Sequence, residues 1–153
     1  MTNLIGSYEC KADAKGRVML PVSLQEQLAA ILKEGFVIKP SVHHECLELF
    51  PRAAFDKMMQ RVLKKNRFHP KIDNFIRVLS AGVKPVSIDS TGRLQIPKTL
   101  VADAGISKEV TLIASGDRIE IWDTAKSAAV IEDSLPSFKE LAAEIMGGFG
   151  DED

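Results

Sequence analysis

An internal repeat constrains this chain more than any other feature of its sequence. Residues 12–24 read ADAKGRVMLPVSL, and residues 88–100 read IDSTGRLQIPKTL. At an offset of 76 positions, the aspartate, glycine, arginine, proline and final leucine are identical. A second match, ECLELF at 45–50 against DRIEIW at 117–122, follows at an offset of 72. Two matches in the same order indicate a duplication, so the fold is expected to contain two similar halves.

Each half has the same predicted order of elements: strand, turn, strand, short helix, strand and strand. Alternation of apolar and polar residues predicts the strands, which in the first half are 8–12, 17–20, 36–39 and 46–50, and in the second 84–88, 92–96, 110–114 and 118–122. Ser23 and Glu26 have the spacing of a capping box, which predicts a helix that starts there and runs to Lys33. We therefore assign 5–51 to the first repeat and 83–125 to the second.

Helices are expected after each repeat. Apolar stripes predict linking helices over 52–82, and C-terminal helices with an acidic tail over 126–153. At this end of the chain, 124–131 and 136–146 are predicted to form a helical pair. No apolar run approaches the roughly 18 residues that a membrane span needs, and no signal peptide precedes the first strand. We therefore expect a cytoplasmic protein without membrane contact, in which Cys10 and Cys46 are reduced.

The formal net charge of −1 is a sum over unlike parts. Residues 1–131 carry 19 Lys and Arg against 14 Asp and Glu, hence +5, whereas residues 132–153 carry one Lys against seven acids, hence −6. Nine of the basic residues lie within 52–84. A basic body with an acidic tail leaves nucleic acid open as a partner, and the tail could compete with DNA for the basic groups.

The repeated Asp-x-x-Gly-Arg motif predicts a tight turn in each half. A short carboxylate before the turn can accept backbone N–H bonds, and the glycine supplies the positive φ that a hairpin needs. The predicted turn-forming residues are Asp13, Gly16, Asp89 and Gly92.

The arginines of the motif, Arg17 and Arg93, have two open interpretations. Each can pair with the aspartate of its own turn, or contact DNA. A lone surface ion pair contributes only ~0–1 kcal/mol, which is a weak reason for a duplicated arginine. In the first copy, Lys11 and Lys15 lie on the same hairpin as Arg17. Because Asp13 is the acidic residue there, the hairpin keeps a net positive charge that can attract phosphates.

The segment YECKADAKGR at 8–17, followed by Leu20-Pro21, resembles the start of the MraZ family of bacterial transcriptional regulators. The second copy, 89–97, together with GDRIEIW at 116–122, resembles the same family. The resemblance implies a β-dominated α+β fold, in which two AbrB-like swapped-hairpin repeats form one pseudo-symmetric, double-ψ-like barrel with peripheral helices. It also implies association with the nucleoid and assembly into a homo-oligomeric ring.

The resemblance further implies sequence-specific binding to double-stranded DNA at promoter repeats of the division and cell-wall gene cluster. The family's DNA-contacting arginine carries over to Arg17, with Arg93 as its internal counterpart, while Lys11 and Lys15 are expected to hold phosphates. The second copy has Ser90-Thr91 where the first has Ala14-Lys15, so a weaker phosphate contact is expected there.

Enzymatic and metal chemistry find little support in the sequence. His43, His44 and Cys46 invite a metal interpretation, but adjacent residues on an extended segment point to opposite faces, and no second pair of ligands has zinc spacing. A polar loop before a strand is the alternative interpretation. Phosphate-binding loops and nucleophile elbows are absent from the sequence, and both cysteines are expected to be small core residues. We predict no enzyme, no catalytic residue, no metal and no cofactor.

Two further interpretations concern the helices and the assembly. The basic helices over 51–79 could mimic a helix-turn-helix, although the segment KKNRFHP between them lacks the usual short turn with glycine. The chain could also be a ring-forming protein-interaction module without specific DNA binding. Salt dependence separates that function from DNA binding, because binding through phosphates weakens steeply with salt.

Overall fold

The strands of the computed structural model, which describes residues 3–149, follow the order that the repeat predicts. The eight strands are β1 Leu4–Lys11, β2 Arg17–Met19, β3 Phe36–Pro40, β4 Leu47–Pro51, β5 Lys84–Val86, β6 Arg93–Gln95, β7 Glu109–Gly116 and β8 Ile119–Asp123. The helices are α1 Val22–Leu28, α2 Arg52–Leu63, α3 Pro70–Gly82, α4 Lys98–Asp103 and α5 Thr124–Met146, and a 3-10 helix, Ala29–Glu34, follows α1. The fold is mixed α+β and rich in antiparallel strands, as expected.

The two halves exchange strands. The larger sheet has the order β1-β7-β8-β4-β3-β5, so the first strand of each half pairs antiparallel with a strand of the other half. The second strands, β2 and β6, form a separate antiparallel ribbon in which Val18 lies opposite Leu94. Single bridges extend each hairpin: Ala12 pairs with Val18, and Ile88 pairs with Leu94. Neither half therefore completes its hydrogen bonding alone.

One hydrophobic core joins the halves. Val18 and Leu94 at the centre of the ribbon are fully buried, as are Leu24, Leu28, Ile38 and Ile121. The alternating pattern of each strand sends its core residues inward and their polar neighbours outward, while Leu24 and Leu28 enter the core from α1. Burial of aliphatic side chains at about 1.5–3 kcal/mol each stabilises the fused arrangement.

The predicted capping box at Ser23 and Glu26 is wrong. Helix α1 begins at Val22 directly after Pro21, and no side-chain hydrogen bond caps it. Ser23 already lies in the first turn, where its hydroxyl contacts the Tyr8 hydroxyl at 3.3 Å. The fixed φ of proline, −58° at Pro21, starts the helix earlier than the serine pattern predicts.

The predicted helical pair at the C-terminus is also wrong. A single helix, α5, runs through Pro136 without a break. A proline inside a helix frees one carbonyl from its hydrogen bond, and here water can satisfy that carbonyl because residues 131–141 are all exposed. The last four residues of the predicted acidic tail, 150–153, lie outside the described residues. In the part that the structure describes, every helix is too short or too polar to cross a membrane.

Candidate nucleic-acid interface

The outer face of the β2–β6 ribbon carries both repeated arginines. Because Val18 and Leu94 point into the core, their neighbours on both strands point outward. Arg17 stands opposite Gln95, and Met19 stands opposite Arg93. The antiparallel pairing therefore presents the arginine of each copy on one small surface.

The first turn is organised by Asp13. Its Oδ1 accepts the backbone N–H groups of Lys15 and Arg17, each at 2.9 Å. Gly16 adopts φ +78° and donates its N–H to the Asp13 carbonyl. Asp13 Oδ2 also lies 2.7 Å from Arg17 Nε, so the carboxylate holds the turn and orients the arginine.

The second turn repeats the backbone but not the ion pair. Asp89 Oδ1 accepts the N–H of Thr91, the N–H of Arg93 and the Thr91 hydroxyl, at 2.9, 2.9 and 2.7 Å. Gly92 has φ +88°. Within residues 3–149, the Arg93 guanidinium makes no ion pair within 4.0 Å. The threonine takes the position of Lys15, so this turn has a hydroxyl contact in place of a cation.

Both turn aspartates are held in their charged form. Hydrogen bonds from the backbone and side chain of Arg17 lower the pKa of Asp13 below its usual 3.8. The Thr91 hydroxyl, followed by the backbone of Arg93, lowers the pKa of Asp89. Bonds that favour the charged carboxylate keep both turns intact at neutral pH.

Each hairpin tip is attached to the opposite half. Ile96 N–H donates to the Gly16 carbonyl at 2.9 Å, and Leu20 N–H donates to the Gly92 carbonyl at 2.9 Å. A Cβ at Gly16 would lie only 2.9 Å from the Ile96 carbonyl oxygen, so glycine is required there for space as well as for φ. The hairpins that carry the arginines are therefore held in place by hydrogen bonds between the two halves.

A depression of about 360 Å³ lies beside the ribbon and collects positive charge. Its charged lining residues are Lys11, Asp13, Arg17, Arg93 and Lys108. Four cations against one carboxylate leave an electropositive surface suited to phosphate groups.

Sequence reasoning missed Lys108. The residue precedes β7, and no motif or spacing connects it with the hairpin. The structure brings it there because the Ala12 N–H donates to the Lys108 carbonyl at 2.9 Å. Lys15, in contrast, does not line this depression; its exposed side chain stays at the tip of the turn, where its carbonyl accepts from Gln95 Nε2 at 2.6 Å.

The segment at His43 and His44 is a bend between β3 and β4. Their backbone N–H groups donate to Ser41 Oγ, and the His44 ring packs 5.6 Å from the Trp122 ring. Within residues 3–149, no three His, Cys, Asp or Glu side chains are grouped so that they could hold a metal ion.

The two cysteines pack as apolar residues. Cys46 is buried, and Cys10 is half-buried against the core. Burial raises the pKa of Cys10 to about 11 and that of Cys46 to about 12. Thiols in this state are poor nucleophiles, because the thiolate is the reactive form.

The helices α2 and α3 do not have the compact connection of a helix-turn-helix. Six residues, 64–69, separate them, and Pro70 begins α3 with His69 Nδ1 accepting from Lys71 N–H at 3.2 Å. A helix-turn-helix uses a turn of only three or four residues. The ribbon is therefore the better candidate for nucleic-acid contact.

Comparison with known proteins identifies the family of the chain. The family described as "MraZ protein, putative antitoxin-like" matches the chain twice, over residues 4–78 and 79–146. A protein of Christiangramia forsetii named Transcriptional regulator MraZ is 50% identical over 96% of this chain and 95% of its own length. A protein of Flavobacterium psychrophilum with the same name is 46% identical over 100% of this chain and 98% of its own.

A solved structure, the solution structure of PHS018 from Pyrococcus horikoshii, is 13% identical, with a TM-score of 0.32, over 78% of this chain and 88% of that one. That likeness is too low to bear on the fold. The family match covers both halves of the chain, and the relatives match along their whole length. The chain therefore belongs to the MraZ family, a family of transcriptional regulators and not of enzymes.

Proposed function

We propose that this regulator binds double-stranded DNA through the outer face of the β2–β6 ribbon. The observation that carries the proposal is the convergence of Arg17 and Arg93, 76 residues apart in the chain, on one electropositive surface. The major groove of B-DNA admits a two-stranded β-ribbon, and arginine is the commonest side chain for reading guanine there.

The residues have distinct roles in this proposal. Arg17 and Arg93 reach base edges, while Lys11, Lys15 and Lys108 hold phosphates on either side. Asp13 and Asp89, with Gly16 and Gly92, keep the tips narrow enough to approach the groove. Asp13 also orients Arg17 through the 2.7 Å contact, which reduces the side-chain freedom lost on binding.

A single ribbon presents only two arginines, so one chain would read few bases. We infer that several copies, assembled as a homo-oligomeric ring, bind repeated half-sites at the promoter of the division and cell-wall gene cluster. Each bound ribbon then holds the next near its own site, which raises the effective concentration. The protein would act in the cytoplasm, associated with the nucleoid.

The same duplication supports a closed, double-ψ-like barrel. The edges of the larger sheet are β1 and β5, and the bridges Ala12–Val18 and Ile88–Leu94 connect these edges to the ribbon. We infer that the repeats 5–51 and 83–125 together close this barrel, with the linking helices 52–82 and residues 126–153 outside it. Closure would leave no free sheet edge.

The alternative function is a ring-forming module that assembles without specific DNA binding. Its charges would then serve contacts between subunits only. The electropositive depression beside the ribbon favours the DNA-binding function, because four cations converge there on a surface that is open to solvent.

The experiment compares Arg17→Ala, Arg93→Ala and the control Arg52→Ala on a duplex that carries the promoter repeats of the division and cell-wall gene cluster and on a shuffled duplex. Arg52 pairs with Asp56 four residues away at 2.9 Å, the same spacing as Arg17 and Asp13, but lies on α2. We expect each ribbon variant to lose affinity for the specific duplex. The DNA affinity of wild type should fall steeply with salt, because each phosphate contact contributes about 0.9 to the salt slope.

The control should bind like wild type. Folded Arg17→Ala that retains wild-type specific affinity would contradict the proposal. Little DNA retention by wild type at any salt concentration would favour the ring-forming module.

A further inference from the structure

The second half of α5 has no partner within the described chain. Ser127, near the start of the helix, is buried, but from residue 131 onward almost every side chain is exposed. The exposed residues include large apolar ones: Leu135 is 60% exposed, Phe138 65% and Ile145 63%. An amphipathic helix with such a face is stable when the face is covered.

The apolar residues of this segment form a continuous seam. Five apolar residues of the helix alternate at spacings of four and three along the chain: Ile131, Leu135, Phe138, Ala142 and Ile145. This 3.5-residue period keeps them on one face and is typical of a helix that packs lengthwise on other helices. The seam of α5, defined by these five residues, is about 21 Å long.

The polar flank of the seam is acidic. Between residues 131 and 149 there are four carboxylates against one lysine, Lys139. The carboxylates are Glu132, Asp133, Glu140 and Glu144. A basic flank would favour an anionic membrane surface, whereas this one favours a basic protein surface.

The chain offers such a surface between α2 and α3. A groove of about 530 Å³ has an apolar floor of Val62, Ile72 and Phe75. Its basic rim is formed by Arg61, Lys65 and Lys71. A second groove of about 680 Å³ runs along α2 and shares two residues, Arg61 and Val62, with the first.

The rim cations are available to a partner. Among residues 3–149, Arg61, Lys65 and Lys71 make no ion pair within 4.0 Å. The whole segment 52–84 carries nine basic residues against two acidic ones. Charge at this groove is therefore complementary to the flank of the α5 seam.

We propose that the α5 seam of one copy docks into the α2–α3 groove of a second copy. Pairing of two α5 seams would bring like charges together, whereas docking in the groove brings carboxylates to free cations. The repeat supports this choice: α2 follows β4 as α5 follows β8, and at the offset of 72 Asp133 takes the position of Arg61. The chain thus carries two equivalent helical surfaces of opposite charge.

A contact between two different surfaces is head-to-tail, so each copy has one surface free for a further copy. Repetition of such a contact gives a closed ring or an open filament. This inference specifies the interface of the proposed assembly and does not depend on DNA binding.

Two variants and a control test the interface in the full chain by native mass measurement. The helix variant combines Leu135→Ser with Phe138→Ser, and the groove variant combines Arg61→Glu with Lys65→Glu. The control, Val42→Ser, removes an apolar side chain that is 66% exposed in the bend between β3 and β4. We expect wild type and control to assemble, and each variant to associate at least about tenfold more weakly.

Mixing the two variants distinguishes the possible contacts. The intact seam of the groove variant can enter the intact groove of the helix variant, so the mixture should form one-to-one dimers and nothing larger. If the mixture stays monomeric, or if the groove variant assembles like wild type, the seam does not dock in this groove. A monomeric wild type would also overturn the proposal and would point to another occupant.

DNA affinity keeps the two proposals separate. The affinity of the monomeric variants for one short duplex reports on the ribbon alone. This affinity should still fall when Arg17→Ala is added to either variant. If adding Arg17→Ala does not lower the DNA affinity, the DNA proposal is contradicted, and the assembly result is unchanged.

Discussion

Arg17 and Arg93 line the same depression, but only Arg17 is held by the aspartate of its own turn. Asp13 uses one carboxylate oxygen for the turn and the other for the guanidinium. Asp89 uses its Oδ1 for Thr91 and the backbone of Arg93. The duplicated motif thus gives one arginine that is held by an ion pair and one that is not.

Lys108 tests whether the depression contacts DNA, because no sequence motif includes it. Lys108→Ala should weaken binding equally for specific and shuffled duplexes and reduce the salt slope by about 0.9. The measurement is a DNA titration at several salt concentrations. Lys33→Ala, an exposed lysine on the 3-10 helix, is the control. An unchanged slope in Lys108→Ala would exclude a phosphate contact by this residue.

Gly16 should be far less tolerant of a side chain than another turn glycine. Gly116 has a similar φ of +81°, but a Cβ there meets nothing closer than 4.0 Å, whereas a Cβ at Gly16 meets the Ile96 carbonyl oxygen at 2.9 Å. Gly116→Ala should therefore cost about 1–2 kcal/mol of unfolding free energy for the backbone alone. Gly16→Ala should cost clearly more. Urea unfolding measures both, and equal losses would mean that the contact relaxes freely.

Asp123 gives the protein a stability that depends on pH. The Ser107 hydroxyl and N–H donate to its Oδ1 at 2.6 and 3.1 Å, which lowers the pKa of this carboxyl below its usual 3.8. Because the pKa is lower in the folded protein, the contribution to stability is fully present above the unfolded value and disappears as pH falls through the folded one.

Asp123→Asn should therefore be less stable than wild type at neutral pH, with a difference that shrinks in acid. Urea unfolding at about pH 6 and about pH 2.5 measures the difference. The control is Asp103→Asn, an exposed aspartate on α4 whose side chain accepts no hydrogen bond within residues 3–149. A difference that is the same at both pH values would contradict the assignment.

Lys39 and Glu48 form a buried ion pair between β3 and β4. Lys39 Nζ lies 2.7 Å from Glu48 Oε1, and the two side chains are only 4% and 9% exposed. Lys39→Met should cost about 3 kcal/mol of unfolding free energy, since Glu48 would then keep only its 3.2 Å contact with Arg118. The double variant Lys39→Met, Glu48→Leu should recover much of this loss. Thermal and urea unfolding measure both, and a double variant worse than the single one would refute the account.

Much of the fold was predictable because its signals are local. The order of strands follows from the alternation of apolar and polar residues, and the turns at Gly16 and Gly92 follow from the need for positive φ. The errors were local as well. Helix α1 begins directly after Pro21, before the serine that the pattern assigned as its cap. Pro136 does not end α5, because the carbonyl that it leaves without a hydrogen bond lies in an exposed segment, where water can satisfy it.

The sequence by itself determined the duplication, the turn chemistry and the resemblance of both halves to one family. Only the tertiary structure decided which strands pair, and hence that Arg17, Arg93 and Lys108 share a surface. It also showed that the α5 seam is uncovered while the α2–α3 groove keeps free cations. The reason is physical: turns and periodicity depend on neighbours in the chain, whereas strand exchange depends on hydrogen bonds and burial between residues far apart in the chain, such as Leu4 and Gly116, Val18 and Leu94, and Ile38 and Lys84.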